Sequence, residues 1–241
     1  MSYPANTEVR LAEFEALYEA AAGELRLELI DGRIYAEPTR VRPSAHPTTA
    51  GYAGKMSELD FEVSLAAFER LERAASEEVT VELINGRVYV VPAPDGEHDD
   101  CAVEIGDQIR EHHPDLRLYQ ERALAVPGYR TGRARPDGVL APRRHFRGQP
   151  TTWSSTTGVV LVLEITSGRE RDAEVDRVEK RDAYAQAEIP LYLLVDRHRS
   201  EVTIFWDPAQ GEYQHSQTAK IGAVLYLPAP LELDLETSQL F

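Results

Sequence analysis

The sequence predicts a mixed α/β fold, in which a mixed central sheet is flanked by helices. Two Val- and Leu-rich runs, TGVVLVLEITS and IPLYLLVD, predict strands that are buried on both faces. Between these runs lies the segment DRVEKRDAYAQAEIP, whose spacing predicts a helix. The whole order of helix, three strands, helix and strand is typical of α/β proteins.

The N-terminal part of the chain contains an internal repeat. FEALYEAAAGELRLELIDGRIYAEP begins at Phe14, and FERLERAASEEVTVELINGRVYVVP begins at Phe68, at an ungapped offset of 54 residues. Each copy predicts a short helix followed by a hairpin, because Asp31-Gly32 and Asn85-Gly86 supply the positive φ of a two-residue turn. We therefore predict a duplicated helix-hairpin.

A Pro-, Gly- and Thr-rich stretch, TRVRPSAHPTTAGYAGKMS, follows the first copy and is typical of a linker. We predict an N-terminal partial repeat with its linker over residues 1–60 and a second domain over residues 61–241. The first copy carries no counterpart of two motifs that follow the second copy, RPD at residues 135–137 and LEITS at residues 163–167. It is therefore interpreted as an appendage.

The remaining elements follow in order. A helix is predicted over Glu97–His112, with Asp95 or Gly96 as its cap and with the single Cys101 on its buried face. The later predicted elements are strands over 117–126, 136–141 and 158–166, a helix from Asp172 to about Glu188, strands over 191–195, 201–206 and 213–219, and short extended runs around Leu225 and Leu231.

Composition limits the classes of function. The chain has 241 residues, a formal net charge of −15 and one cysteine, which excludes an intramolecular disulfide and a Cys-rich zinc site. No apolar run approaches the roughly 20 residues of a membrane span, and the start lacks a signal-peptide layout, so we expect a cytoplasmic protein. The acidity argues against indiscriminate binding to nucleic acid.

The charge is nevertheless uneven along the chain. The segment from Arg122 to Arg147 contains one acidic residue, Asp137, and seven arginines: Arg122, Arg130, Arg133, Arg135, Arg143, Arg144 and Arg147. Two interpretations stay open, a solvated loop face and a surface that contacts phosphates.

Two carboxylates are predicted to meet at one edge of the sheet. Asp137 precedes one apolar strand and Glu164 ends another, so antiparallel pairing places them side by side. A divalent cation would satisfy both at once, since Mg²⁺ or Mn²⁺ prefers oxygen ligands. We expect the main-chain carbonyl of Ile165 to complete the protein ligands.

A lysine is predicted to reach the same edge. Asp176, Lys180 and Tyr184 recur at four-residue spacing and form one stripe of the helix. Small alanines beside the stripe let it lie close to the sheet, so Lys180 can reach the strand ends. Tyr184 either donates to the site or packs beneath it.

These residues carry a family resemblance. Asp137 in RPD, Glu164 in LEITS and Lys180 in DRVEK resemble the motif of the restriction-endonuclease-like PD-(D/E)xK nucleases. Most of that superfamily has its lysine two residues after the glutamate, a position held here by Thr166. With AYAQA and IPLYLLVD in addition, residues 79–241 resemble the Uma-two family of endonuclease-like proteins.

The resemblance implies a restriction-endonuclease-like core and hydrolysis of DNA with Mg²⁺ or Mn²⁺. Asp137 and Glu164 would bind the metal, and Lys180 would orient the attacking water or stabilise charge. Glu82 and His98 are further catalytic candidates, although the duplicate Glu28 shows that a strand glutamate here need not be catalytic.

Other functions stay open at this stage. A catalytically weak or inactive module with the same fold would bind nucleic acid or protein, which agrees with the acidity and the displaced lysine. A hydrolase acting on a small phosphorylated or sugar substrate is a third alternative. A homodimer is compatible with cutting both DNA strands, yet no segment of the sequence requires it.

Overall fold

A computed structural model of the protein describes residues 11–21, 23, 25–30, 33–38, 63–77, 79–92, 94–120, 122–126, 132–150, 152–166 and 174–241. The chain divides into two compact units, Met1–Ala93 and Pro94–Phe241. The predicted linker, residues 39–57, lies outside the described residues. The predicted domain boundary after residue 60 lies there too and stays a prediction.

Two copies of a helix and a hairpin build the first unit. The first copy comprises α1 (Leu11–Ala20), β1 (Leu25–Ile30) and β2 (Arg33–Pro38), and the second comprises α2 (Leu65–Ala74), β3 (Val79–Ile84) and β4 (Arg87–Pro92). The four strands pair antiparallel in the order β1-β2-β4-β3. Asn85 and Gly86 turn the second hairpin at φ 49° and 74°. Both copies therefore have the elements that the repeat predicts.

The second unit contains three helical segments and eleven strands among its described residues. The helical segments are α3 (Gly96–His112) and a π-helix (Val175–Lys180) that continues as α4 (Arg181–Gln186). The strands are β5 (Leu116–Gln120), β6 (Leu124–Val126), β7 (Gly132–Ala134), β8 (Gly138–Pro142), β9 (Ser154–Ser155), β10 (Leu161–Ile165), β11 (Leu191–Asp196), β12 (Glu201–Ala209), β13 (Glu212–Lys220), β14 (Val224–Leu227) and β15 (Leu233–Glu236). A 3₁₀ turn, Thr237–Gln239, follows them.

Six of these strands form the central sheet, in the order β13-β12-β11-β10-β8-β5. Strands β10 and β11 are parallel and the other neighbours are antiparallel, so the sheet is mixed as predicted. The apolar runs at its centre are buried over their whole length. Strand β6 pairs with β7 on one side and with β9 on the other, and β14 pairs with β15.

Helices cover both faces of this sheet. The α3 residues Cys101, Ile105 and Ile109 pack on Leu161 and Leu163 in one core, and burial raises the pKa of the Cys101 thiol to about 12. On the other face Tyr184 contacts Tyr192, with ring centroids 5.4 Å apart. The predicted flanked sheet is confirmed. No helix within the described ranges combines the length and apolar character needed to traverse a bilayer.

Two predicted boundaries are wrong. The single strand predicted over 117–126 is divided into β5 and β6, because Arg122 turns aside to bind Ser154 Oγ and the Pro150 carbonyl. The strands predicted over 201–206 and 213–219 are longer, because β12 continues to Ala209 and β13 begins at Glu212, which leaves Gln210 and Gly211 as the turn, with φ 56° and 84°.

Candidate active site

Asp137 lies at one end of the strands of the central sheet, immediately before β8. The antiparallel register of β8 and β10 pairs Gly138 with Leu163, so Asp137 lies beside the end of β10. Its Oδ2 accepts a hydrogen bond from the Ile165 N–H at 2.6 Å and lies 3.0 Å from His98 Nε2. The structure therefore brings Asp137 and His98 together at the strand end where the sequence predicts a site.

His98 reaches Asp137 from the first turn of α3. The Asp95 side chain caps this helix by accepting from the His98 N–H at 2.9 Å. Burial opposes the charged imidazole, but the hydrogen bond to Asp137, its charge and the charges of Asp99 and Asp95 outweigh that effect and raise the pKa of His98. His98 therefore keeps its proton to higher pH and donates from Nε2 to the carboxylate.

Glu164 lies immediately before Ile165, the residue whose N–H donates to Asp137. Its carboxylate is buried, with a residue exposure of 1%, which is costly without cationic or donating partners. Lys180 Nζ donates to Oε2 at 3.1 Å, and the Tyr184 hydroxyl donates to Oε1 at 2.5 Å. The predicted approach of Lys180 to the strand end is therefore present, and Tyr184 donates to the site rather than only packing.

Lys180 is shared between two carboxylates. Its Nζ also lies 3.3 Å from Asp176 Oδ1, one turn earlier in the π-helix. Tyr192 anchors that turn to β11 by donating to the Asp176 carbonyl at 2.9 Å. Because π-helical turns insert one extra residue, they re-aim the side chains that follow. The predicted stripe of Asp176, Lys180 and Tyr184 thus faces the sheet.

Arg197 fixes the end of α3 and was not predicted from the sequence. Thr166, two residues after Glu164, is fully buried, and its hydroxyl accepts from the Arg197 N–H at 2.9 Å. The Arg197 guanidinium contacts Asp95 at 3.0 Å and Glu97 at 2.8 Å. Arg197 directly follows β11, so these contacts hold the N-terminal end of α3, which carries His98, at the end of that strand.

These contacts also influence the ionisation of the cap. Burial alone would raise the pKa of Asp95, but the hydrogen bonds from the His98 N–H and from Arg197, together with the two positive charges, lower it. Asp95 thus stays ionised and keeps both its cap and its ion pair.

A second buried pair, Arg177 with Asp196, was also missed. Asp196 Oδ2 accepts from Arg177 Nε at 2.7 Å, and Oδ1 accepts from the Arg199 N–H at 3.1 Å. Asp196 ends β11 at the same sheet edge as Glu164, because β10 and β11 are parallel. An acidic residue closing the apolar run IPLYLLVD was the available signal. The pair holds the π-helix against the strand end.

Replacing Asp196 by Asn should destabilise the fold in a pH-dependent way. Burial alone would raise the pKa of Asp196, but the Arg177 hydrogen bond, the Arg199 N–H and the two positive charges lower it. A lowered carboxyl pKa stabilises the folded state above the ordinary value near 3.9, and this contribution disappears as the pH falls through the folded-state value. We expect Asp196→Asn to cost about 3 kcal/mol at pH 7, since it leaves a buried guanidinium without its carboxylate.

Denaturant unfolding from pH 7 to pH 3 measures this prediction. The difference between wild type and Asp196→Asn should shrink below about pH 4. The control is Glu174→Gln, because Glu174 is exposed and lies 3.8 Å from the same guanidinium; it should change stability little. A gap that is constant with pH would contradict the assignment.

Glu82 lies in the first unit, on β3, where its side chain is buried and its register partner is Tyr89. Its catalytic role therefore stays a prediction. Within the second unit the structure brings together the other named residues, Asp137, His98, Glu164, Ile165 and Lys180.

The predicted basic segment does not act as one surface. Arg122 is bonded internally, and Arg133 and Arg135 stack on Trp153 with guanidinium-to-ring distances of 5.6 and 4.9 Å. The loop after β8 exposes three arginines, Arg143, Arg144 and Arg147. The length of β8, about 15 Å, separates that loop from Asp137. Arg130 lies outside the described residues.

Comparison with known proteins now complements the geometry. Residues 65–239 match the model of the Uma2 family, whose description is "Putative restriction endonuclease". The chain belongs to the Uma2 family. The resemblance predicted from RPD, LEITS and DRVEK is thus confirmed, and the Uma2 match includes Asp137, Glu164 and Lys180. No curated protein matches the chain.

A solved structure shares the fold. It is described as a "putative nuclease belonging to DUF820 from Anabaena variabilis ATCC 29413". Its sequence is 16% identical, the match covers 72% of this chain and 96% of that one, and the TM-score is 0.54. At this identity the similarity establishes the shared architecture of this Uma2 member.

Proposed function

We propose that the chain is a metal-dependent endonuclease that hydrolyses phosphodiester bonds in DNA. One observation carries the proposal: the buried pair of Glu164 and Lys180 adjoins Asp137 at one sheet edge, linked through the Ile165 N–H. A buried carboxylate and ammonium beside a second carboxylate match the needs of phosphoryl transfer, which are cation binding and charge stabilisation. Membership of a family described as "Putative restriction endonuclease" supports this assignment.

The donor set fits a hard divalent cation. Asp137 accepts both of its described hydrogen bonds at Oδ2, so Oδ1 is the oxygen to bind an ion. Among the described residues no group of three or more His, Cys, Asp and Glu side chains is arranged around one metal position. Asp137, Glu164 and the Ile165 carbonyl would hold Mg²⁺ or Mn²⁺, and water would supply the other ligands, as Mg²⁺ usually requires.

When bound, such an ion stabilises negative charge on the phosphoryl oxygens and acidifies water. The chain's own residues supply the rest. Lys180 donates protons toward the developing charge or the attacking water, Tyr184 fixes the Glu164 carboxylate, and His98 fixes that of Asp137. In the net reaction the water oxygen bonds to phosphorus, the bond between phosphorus and the leaving oxygen breaks, and the leaving oxygen takes up a proton that the water has lost.

Cleavage assays test the proposal directly. Supercoiled plasmid, linear duplex and single-stranded oligonucleotides are incubated with the protein in Mg²⁺, Mn²⁺, Ca²⁺ or EDTA. We expect cleavage in Mg²⁺ or Mn²⁺ and none in EDTA, with Glu164→Gln prepared in parallel to exclude a contaminating nuclease. Cleavage that persists in EDTA, or equally in Glu164→Gln, would contradict the assignment.

A nuclease-fold binding module is the second candidate. Its supporting observation is that Lys180 contacts both Glu164 and Asp176, so its charge is balanced within the protein. A net charge of −15 also disfavours strong binding to DNA. The same assays separate the two candidates, since the module predicts a shift of labelled DNA or protein without any cleavage product.

The exposed loop arginines should affect binding more than turnover. Replacing Arg143, Arg144 and Arg147 by Gln should weaken DNA binding and lower the slope of log affinity against log salt by about 2 to 3, since each phosphate contact releases roughly one counterion. Turnover at saturating DNA should be preserved, because β8 separates this loop from Asp137. Fluorescence anisotropy from 50 to 200 mM salt measures the slope, and Arg117→Gln on the edge strand β5 is the control. An unchanged slope would show that the loop is an ordinary solvated surface that does not contact DNA.

A further inference from the structure

The outer edge of the central sheet is formed by β13, a strand of nine residues with the sequence EYQHSQTAK. Strand β13 pairs with β12 on one side and is the last strand in the sheet order described for the chain. Seven of its nine residues are exposed and the other two are partly buried. Edge strands are usually shielded from pairing by proline, central charges or short length. Strand β13 has none of these protections along its centre.

The hairpin geometry shows which backbone groups face outward. The two-residue turn at Gln210 and Gly211 has the positive φ values of a type I′ turn. The alternation of the hydrogen-bonded pairs is interrupted at Asp207, which has a φ of 59° and is passed over in the register of β12 with β13. Beyond it the Ile221 N–H donates to the Ser200 carbonyl at 3.0 Å, so Glu201 and Lys220 form a non-hydrogen-bonded pair and the pattern alternates from there. The amides and carbonyls that point away from β12 therefore belong to Ser216, Thr218 and Lys220.

The charges of this strand are self-complementary. Glu212 begins β13, Lys220 ends it, and the seven residues between them carry no formal charge with His215 neutral. A second copy aligned antiparallel about Ser216 pairs Glu212 of each strand with Lys220 of the other. Each lysine would then lie between that glutamate and its own cross-strand partner Glu201, which it contacts at 2.9 Å. The overall charge of −15 makes this neutral, self-complementary edge distinctive.

We propose that β13 is a self-association surface, which pairs with β13 of a second copy about a two-fold axis at Ser216. The pairing joins two six-stranded sheets into one and brings the outward backbone groups of the two β13 strands together. Isologous contacts of this kind are the commonest route to symmetric dimers. The inference does not depend on the proposed nuclease activity.

Charge exchange between the two strand ends provides the test. Glu212→Lys places lysine against Lys220 of the other copy, and Lys220→Glu places glutamate against Glu212. Each variant alone should raise the dimer Kd on the order of tenfold, because two rim pairs become repulsive. An equimolar mixture should form a heterodimer with wild-type affinity, since both pairs are attractive again.

This design separates strand pairing from bulk charge. Glu212→Lys makes the chain less acidic and Lys220→Glu makes it more acidic, so a general electrostatic effect would move their association in opposite directions. Within one chain the two residues are about 27 Å apart along the strand, so recovery in the mixture requires contact between copies. Ser216→Pro removes an outward N–H and should also weaken the dimer, whereas Ser216→Ala should not.

Sedimentation velocity over a concentration series measures each association, with circular dichroism to verify folding. Recovery in the mixture supports the proposal. A wild-type chain that stays monomeric up to about millimolar concentration, a dimer that none of these variants weakens, or a mixture that fails to recover would each overturn it.

Discussion

Glu164→Gln and Asp137→Asn are each expected to reduce Mg²⁺-dependent cleavage at least about a thousandfold. A bound divalent ion contributes several kcal/mol to stabilising the transition state, and each 1.36 kcal/mol corresponds to a factor of ten in rate. Glutamine keeps an oxygen to accept from Tyr184 and asparagine keeps one to accept from the Ile165 N–H. The loss should therefore come from charge and metal affinity rather than from a collapsed site.

Plasmid-nicking rates and calorimetric titration with Mn²⁺ measure this pair of effects together. Both variants should lose Mn²⁺ affinity while their circular dichroism is unchanged. Asp99→Asn is the matched control, because Asp99 is exposed and lies near His98 without contacting β10; its cleavage rate should stay within a few-fold of wild type. If Glu164→Gln binds Mn²⁺ and cuts like wild type, the metal assignment is wrong.

Lys180→Met is expected to slow cleavage by roughly a hundred- to a thousandfold while Mn²⁺ binding is retained. In the proposed reaction the ammonium donates toward the charge of the reacting phosphate, and removal of such a donor typically has this effect. The variant should also lose about 3 kcal/mol of stability, because Glu164 and Asp176 keep buried charges without their shared cation.

Lys180→Arg separates these two consequences. It keeps the positive charge between Glu164 and Asp176, so stability should recover, whereas the planar guanidinium places its donors differently from an ammonium. Single-turnover rates at saturating Mg²⁺ and denaturant unfolding are measured on both variants. Wild-type turnover by Lys180→Met would show that Lys180 is structural and that another residue acts on the phosphate.

The sequence predicts the central part of this fold because its signals are strong and local. A continuous apolar run such as Val159–Leu163 strongly indicates a buried strand, and the turn at Asn85-Gly86 fixes a hairpin. The site followed from the same logic, since Glu164 closes an apolar run and Lys180 recurs on the helix stripe. Pairing of β8 with β10 then placed Asp137 at that edge.

The contacts that the sequence did not reveal are all between distant segments. Arg197 binds Asp95, 102 residues earlier in the chain, and no local period indicates such a pair. The division of 117–126 into two strands likewise depends on Arg122 and Ser154, 32 residues apart. The π-helix contains Asp176 and Lys180 at the four-residue spacing of an ordinary helix, so the period of the sequence alone predicts an α-helix there.

The burial of Thr166 limits which side chains this strand end can carry. Its side chain has no exposed surface, and its hydroxyl holds the backbone of Arg197, whose guanidinium in turn holds the end of α3. A lysine at this position would have to displace that anchor before it could reach a substrate. A lysine at residue 166 in place of Lys180 would therefore require rebuilding the α3 attachment together with the π-helix.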